Sequence, residues 1–145
     1  SGPRAARLAA RIGDGLINPA GDATVVDAFK AAGGTGPRYL QVSVCWHEDE
    51  AEARRMALRL VPSVALPGEL GNLLPTPAHY EQATELVTED RIADVITCWP
   101  DAGRHIARIQ AGIDAGYDHI HVYQVGPDQE GFFRSYEREV LPAFR

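Results

Sequence analysis

Short strand-like segments alternate with helical segments along this chain, and this order limits its fold more than any other feature. The clearest strand covers residues 39–46, where apolar and polar side chains alternate. One face of this segment carries the apolar side chains of Leu40, Val42, Val44 and Trp46. Further strands are predicted at residues 16–17, 95–98 and 120–125. Because helices connect successive strands, the sequence predicts an α/β fold with a parallel sheet.

The predicted helices begin at residues that cap a helix well and continue with a period of about 3.6 residues. The first covers residues 3–12 and ends at Gly13. An acidic segment, residues 48–52, opens the helix after the clearest strand, where carboxylates favour the positive end of the helix dipole. Four other helices are expected to begin after Asp22, Thr76, Thr88 and Asp128. The helix after Thr76 is predicted to run to about Val87.

Two of the helices near the end of the chain have predicted buried faces. The helix that begins near Pro100 has an apolar stripe formed by Ile106, Ile109 and Ile113. The last helix has an apolar side formed by Phe132, Phe133, Tyr136 and Val140. Residues 62–77, by contrast, contain four prolines and two glycines, so we expect an irregular insertion there.

The composition excludes several functional classes. The chain has a net charge of −6 with acidic and basic residues interleaved, so a nucleic-acid partner is not expected. We expect neither a membrane span nor a signal peptide, since no apolar run is long enough for a span and the start lacks a basic segment before an apolar centre. Cys45 and Cys98 lie in apolar segments and are predicted to be buried thiols of a cytoplasmic protein.

The length of the chain limits how much of a barrel it can form. Its 145 residues are fewer than the roughly 250 of an eight-stranded parallel barrel. Three or four parallel strands alone would expose two sheet edges and one face. We therefore expect a homo-oligomer or association with a missing half of the same fold.

Four segments of the sequence carry a resemblance to a known family. They are SGPRAARLAARIGDGLI, QVSVCWHEDEAEARR, LPTPAHYEQATELV and AGYDHIHVYQVGPDQEGFF, and together they extend over nearly the whole chain. The chain resembles the luciferase-like family of coenzyme F420-dependent oxidoreductases, and more narrowly its glucose-6-phosphate dehydrogenase-like branch. This resemblance implies that residues 1–145 are the C-terminal portion of a single TIM-barrel domain, a parallel (β/α)8 barrel, with residues 62–77 as an insertion at its rim.

The resemblance also implies a reaction and a cofactor. Hydride would pass between an organic substrate and the deazaflavin of coenzyme F420, while the protein supplies position and electrostatics. The catalytic residues of the family lie upstream of Ser1, so none is assigned in this chain. The chain by itself is expected to be inactive.

A cofactor site is implied at the start of the first helix. In the family, the SGP turn leads into a helix whose N-terminus holds the phosphate-bearing tail of the cofactor. By position, the contacts would be Ser1, Gly2, Arg4 and Ala5. A glycine allows close approach of an anion, and the free amides of a helix N-terminus attract negative charge. Without the resemblance, the same residues would indicate a simple helix start.

Substrate contacts are expected where strands end, because barrel enzymes keep their active sites at the carboxyl ends of the strands. The candidates are Asn18, His47 and Gln124, although a loop or packing role is open for His47 and Gln124. The matching loops lack the basic residues with which the founding enzyme of the branch binds a sugar phosphate, and carry Pro19 and Asp22 instead. Glucose 6-phosphate is therefore not the expected substrate.

Three other functions remain open from the sequence. The first is a flavin mononucleotide (FMN)-dependent luciferase-like monooxygenase, which has the same fold and related chemistry. The second is a non-catalytic half-barrel that binds a phosphorylated ligand or another subunit, and the third is a phosphosugar barrel enzyme without redox chemistry. No metal site is expected, because His105, His119 and His121 have no partner at zinc-ligand spacing.

Overall fold

The structure is a computed structural model that describes residues 2–145. Its regular elements in chain order are α1 (Pro3–Ile12), β1 (Leu16–Asn18), α2 (Ala23–Ala31), β2 (Arg38–Val44), α3 (Glu50–Leu60), α4 (Leu70–Leu73), α5 (Pro77–Thr84), α6 (Glu89–Ala93), α7 (Ala102–Asp114), β3 (His119–Gln124) and α8 (Gln129–Ser135). Short 3-10 turns occur at Pro62–Ala65 and Leu141–Phe144, and a π-helical turn occurs at Tyr136–Val140. The strands form one parallel sheet in the order β1-β2-β3, as the alternation of strands and helices predicts.

Two compact units divide the described residues. The first unit contains residues 2–42 and 106–123, and the second contains residues 43–105 and 124–145. The prediction of a single barrel domain therefore stays a prediction, and each unit is described by itself. No helix in residues 2–145 has the length and apolar character needed to cross a membrane.

The first unit packs α1 against α2 and β1. Its core is formed by Ala6, Leu16, Val25, Val26, Phe29 and Leu40. The turn between α1 and β1 depends on Gly15, because a Cβ added there would lie 2.6 Å from the carbonyl oxygen of Pro37. That carbonyl accepts the backbone N–H of Leu16 at 2.9 Å, so the glycine allows the strands to begin pairing. The close approach of the Pro37 carbonyl therefore explains why a glycine occupies position 15.

The second unit has an apolar core between α3 and the segment around residues 92–98. Its buried members are Cys45, Ala53, Met56, Ala57, Ala65, Ile92, Ile96 and Cys98. Both cysteines are free and buried, as predicted. The strand predicted at residues 95–98 is not formed. A single parallel bridge between Val44 and Thr97 takes its place, and Ile96 and Cys98, on either side of Thr97, are buried in the core.

Two helices, α5 and α7, differ in detail from the sequence-based predictions. Helix α5 ends at Thr84 rather than near Val87, and the extended Thr88 (φ −101°, ψ 164°) caps the next helix, α6. Ile113 is 42% exposed, and the buried positions of α7 are instead His105, Ile109 and Gly112. A Cβ at Gly112 would lie 2.5 Å from the Leu40 side chain, so this glycine lets the helix backbone rest directly on β2.

The last helix also differs in one member of its predicted apolar side. Phe132, Tyr136 and Val140 are buried, whereas Phe133 is 64% exposed. Residues four apart stack on the same face of a helix, and a neighbour is rotated by about 100° away from that face. Phe132 and Tyr136 therefore occupy the inner face together, with ring centroids 4.3 Å apart, and Phe133 points outward.

Candidate functional site

The N-terminus of α1 has the local structure of an anion site. Gly2 is its N-cap residue with φ 103°, a value in the left-handed region that favours glycine. Pro3 occupies the first helical position, and no side chain caps the helix within the described residues. The first turn contains no acidic residue. Its free backbone amides and the helix dipole therefore favour a negatively charged group.

A cavity of about 160 Å³ opens beside this helix end and brings three predicted site residues together. It is lined by Gly2, Ala5 and Asn18, with Ala6, Ala9, Leu16, Ile17 and Val25. Ser1, the fourth residue of interest at the helix start, lies outside the described residues. The structure thus places the end of β1 and the start of α1 around one small space.

Arg4 lies on a different face of α1 from Gly2 and Ala5. It lines a separate cleft of about 440 Å³ together with Arg7, Leu8, Arg11 and Ala32. The cavity at the helix N-terminus and this cleft therefore lie beside the same helix but have different linings. The first is formed mainly by small and apolar residues, and the second by arginines.

The side chain of Asn18 is the main polar group in the cavity at the helix N-terminus. It is 2% exposed, and its Oδ1 accepts the backbone N–H of Ala20 at 2.8 Å. Its Nδ2 is buried and has no hydrogen-bond partner among residues 2–145. The Tyr117 hydroxyl lies close to this side chain without completing a hydrogen bond of normal geometry, so an acceptor atom of a ligand would supply the partner that buried donors almost always have.

Tyr117 lies beside Asn18 and stays uncharged. Burial raises the pKa of its hydroxyl, and the Asn18 side chain opposes this by a smaller amount. The hydroxyl donates to the backbone carbonyl of Asp22 at 3.3 Å. Tyr117 therefore adds no negative charge that would oppose an anion near Asn18.

In the second unit, Gln124 is occupied by hydrogen bonds within the protein. Its Oε1 accepts the backbone N–H of Trp46 at 2.9 Å, and its Nε2 donates to the backbone carbonyl of Trp46 at 3.1 Å. The residue is 6% exposed. Both ends of the side-chain amide are used, so this residue holds the end of β3 to the chain that follows β2.

His47 lies at the start of the loop that leads into α3. The backbone N–H of Asp49 donates to its Nδ1 at 3.0 Å, so the neutral ring carries its proton on Nε2. Asp49 then caps α3 by accepting the backbone N–H of Glu52 at 2.9 Å. That bond is the main reason why the pKa of Asp49 is lowered. His47 therefore supports the loop and keeps one N–H donor available.

Two features of the second unit were missed by sequence reasoning. The first is a buried pair: His105 Nδ1 lies 2.8 Å from the Tyr136 hydroxyl, and its Nε2 lies 2.7 Å from the carbonyl oxygen of Trp99. The guanidinium groups of Arg54 and Arg104 both lie over the Trp99 ring, at 4.8 Å and 3.2 Å from its centroid. The four-residue spacing of His105 and Ile109 is the sequence signal for this buried face, whereas the predicted stripe placed Ile106 and Ile113 beside Ile109.

The second missed feature is a cavity of about 490 Å³ in the proline-rich insertion. Its lining residues are Pro62, Ser63, Leu74, Pro75, Thr76, Pro77, Tyr80, Glu81 and Thr84. The Tyr80 hydroxyl donates to the backbone carbonyl of Gly71 and closes one side of the insertion. The prolines predict irregular backbone, but they do not predict that this backbone borders an open pocket.

Comparison with known proteins finds relatives that are named as F420-dependent enzymes. No protein-family model matches the chain. The F420-dependent glucose-6-phosphate dehydrogenase of Microbacterium testaceum is 29% identical over 100% of this chain and 47% of its own length. The enzyme of the same name from Beutenbergia cavernae is 28% identical with the same coverage. The chain thus spans about half the length of the curated relatives it matches.

A solved structure shares the fold of this chain. It is an F420-dependent secondary alcohol dehydrogenase in complex with an F420-acetone adduct, with a TM-score of 0.80 and 22% identity. The match covers 99% of this chain and 47% of that one. The predicted fold class, part of a parallel α/β barrel, is confirmed.

Proposed function

We propose that this chain is the C-terminal part of an F420-dependent oxidoreductase of the luciferase-like family, and that it holds the phosphate-bearing tail of the cofactor. The relatives named above carry this activity in their names and match the whole chain. The observation that carries the proposal is the cavity at the N-terminus of α1, which Gly2 and Ala5 line together with Asn18, whose buried Nδ2 has no hydrogen-bond partner among the described residues.

The residues around this cavity suit a phosphate group. A Cβ added at Gly2 would meet nothing within 4 Å, so the approach to the helix end is open. None of the lining residues carries a carboxylate. The backbone amides of the first turn and the Asn18 Nδ2 would hold the phosphate, while Gly2 leaves room for it. When bound, the deazaflavin supplies the hydride acceptor or donor, and the protein binds and orients it.

We propose a small-molecule substrate other than a sugar phosphate. Asp22, in the loop after β1, accepts both the backbone N–H and the hydroxyl of Thr24 at 2.8 Å, so its carboxylate is held in place as the cap of α2. A fixed negative charge disfavours a dianionic substrate nearby. The two buried free cysteines support a reducing, cytoplasmic setting for this reaction.

Cofactor titration of the full-length protein that carries this chain tests the proposal. F420, the same deazaflavin without its phosphate-bearing tail, and FMN would each be titrated under identical conditions. We expect F420 to bind most tightly and the tail-free deazaflavin to bind at least about tenfold more weakly, because the phosphate contacts are lost. Tighter binding of FMN would instead support the flavin monooxygenase of the same fold.

The same titration separates the remaining candidate functions. Binding of inorganic phosphate without any deazaflavin or flavin would favour a phosphate-ligand protein or a phosphosugar enzyme. The non-catalytic interaction subunit has its own support in two exposed apolar side chains of the first unit, Ile12 and Ile17, which are 77% and 78% exposed. Absence of binding by every ligand would favour that function.

A further inference from the structure

We infer that the arginine face of α1, formed by Arg4, Arg7 and Arg11, is a subsite for a chain of carboxylates that continues from the bound phosphate. This inference rests on the proposed function, because it extends the phosphate site along the same helix. It concerns a different face of α1 from the one that lines the phosphate cavity.

The local charge of α1 is opposite to that of the whole chain. The chain carries a net charge of −6, yet residues 1–13 contain three arginines and no aspartate or glutamate. The first acidic side chain after the helix is Asp14. A positive helix in an acidic protein attracts anions to this part of the surface.

The three arginines share one side of the helix and one cleft. Their spacing of three and four residues places them on the same face of α1. From Arg4 to Arg11 the helix rises by about 10 Å along its axis. Together with Leu8 and Ala32 they line the cleft of about 440 Å³. A linear ligand could therefore contact all three side chains at once.

These arginines are not neutralised by carboxylates of the described residues. Six other arginines form ion pairs, namely Arg38, Arg54, Arg55, Arg91, Arg134 and Arg138. Within residues 2–145, no ion pair includes Arg4, Arg7 or Arg11, and all three are exposed. Their charges are thus available to a ligand.

The position of the arginine face indicates what the ligand is joined to. Arg4 is adjacent in sequence to Ala5, which lines the phosphate cavity, and Arg7 and Arg11 follow along the helix. A chain that leaves a phosphate at the helix N-terminus would meet the three arginines in that order. The oligoglutamate chain that coenzyme F420 carries beyond its phosphate has the required chemistry, a series of carboxylates.

The test compares F420 preparations with one and with five or more glutamates, titrated against the full-length protein that carries this chain. We expect the longer tail to bind about fivefold more tightly at low ionic strength, as two or three exposed ion pairs would give. The double variant R7Q/R11Q should lose this difference and keep the affinity for the one-glutamate form. Arg108→Gln, which neutralises an exposed arginine of α7, should leave the difference unchanged.

Each result decides the inference separately from the proposed function. If F420 binds with an affinity that is independent of tail length, or if R7Q/R11Q retains the preference, the arginine face is not the subsite and the proposed function stands. If no form of F420 binds, the proposed function fails, and a γ-linked pentaglutamate peptide then tests the face alone. Binding of this peptide that R7Q/R11Q abolishes would support the face, and no binding would overturn it.

Discussion

The side-chain amide of Gln124 forms hydrogen bonds to both backbone polar groups of Trp46, at 2.9 Å to the N–H and 3.1 Å to the carbonyl. The two residues are 78 positions apart in the sequence. Both are buried, so neither backbone group of Trp46 has water as a replacement partner. In the second unit, this contact joins the end of β3 to the loop that leads into α3.

Gln124→Leu is expected to destabilise the protein by about 3 kcal/mol, since it leaves a buried donor and a buried acceptor unpaired. Urea unfolding of the full-length protein, followed by tryptophan fluorescence, measures the change. Gln110→Leu is the matched control, because Gln110 is exposed and its bond to Asp114 lies within one helix. That control should cost less than about 0.5 kcal/mol. Equal costs for the two variants would contradict the structural role of Gln124.

Cys45 and Cys98 are expected to resist alkylation in the folded protein. Burial raises the pKa of the Cys45 thiol to about 11 and that of Cys98 to about 12, so the reactive thiolate is rare at pH 8. Iodoacetamide labelling followed by peptide mass spectrometry should give rates at least about a hundredfold below those in urea. Rapid labelling of either cysteine in the native protein would contradict its position in the core.

The helix starts were predictable from the sequence because capping requires only local contacts. Asp22 accepts the N–H of Thr24, Thr88 accepts that of Arg91, and Asp128 accepts that of Gly131. Each of these bonds spans two or three residues, so a short polar side chain before an apolar period is a sufficient signal. Strand alternation is local in the same sense, and it correctly placed Leu40 and Val42 in the core.

The roles of other residues depend on contacts between distant parts of the chain. The face that α7 presents is set by Gly112 against Leu40, and the role of Gln124 is set by the backbone of Trp46. Neither partner is visible in the local pattern. For this reason the isoleucine stripe was partly wrong, and the hydrogen bonds that occupy Gln124 could not be anticipated. The position of Asn18 at the end of a strand makes it a candidate from the sequence. That its Nδ2 is buried without a hydrogen-bond partner is visible only in the structure.

The buried His105 should make the stability of the protein depend on pH. Burial is the main cause that lowers its pKa below the ordinary value of 6.5, so the folded protein takes up this proton less readily than the unfolded chain. The neutral His105 ring therefore makes its full contribution to the free energy of unfolding above about pH 6.5, and this contribution is lost as the pH falls below that value. Urea unfolding between pH 8 and pH 5 measures the loss, and His105→Gln should reduce its slope. An unchanged slope in that variant would assign the pH dependence to other groups.

A carboxylate placed inside the phosphate cavity should separate stability from cofactor binding. Ala5→Glu adds a negative charge at the third position of α1, where it lines the cavity and also favours the helix dipole. The free energy of unfolding should therefore stay equal or rise by about 0.3–1 kcal/mol. The affinity for F420 should fall at least about tenfold, because the carboxylate repels the phosphate.

Ala10→Glu provides the matched control for this experiment. It adds the same charge to the same helix at a position that lines neither the phosphate cavity nor the arginine cleft. Fluorescence titration of the deazaflavin with the full-length protein should show no more than about a twofold change for this variant. If the two variants lost affinity equally, the effect would come from the overall charge of α1, and the phosphate would not lie beside Ala5. If Ala5→Glu alone lost affinity while its unfolding curve did not weaken, the loss could not be explained by unfolding, and the N-terminus of α1 would be the place where the cofactor tail is held.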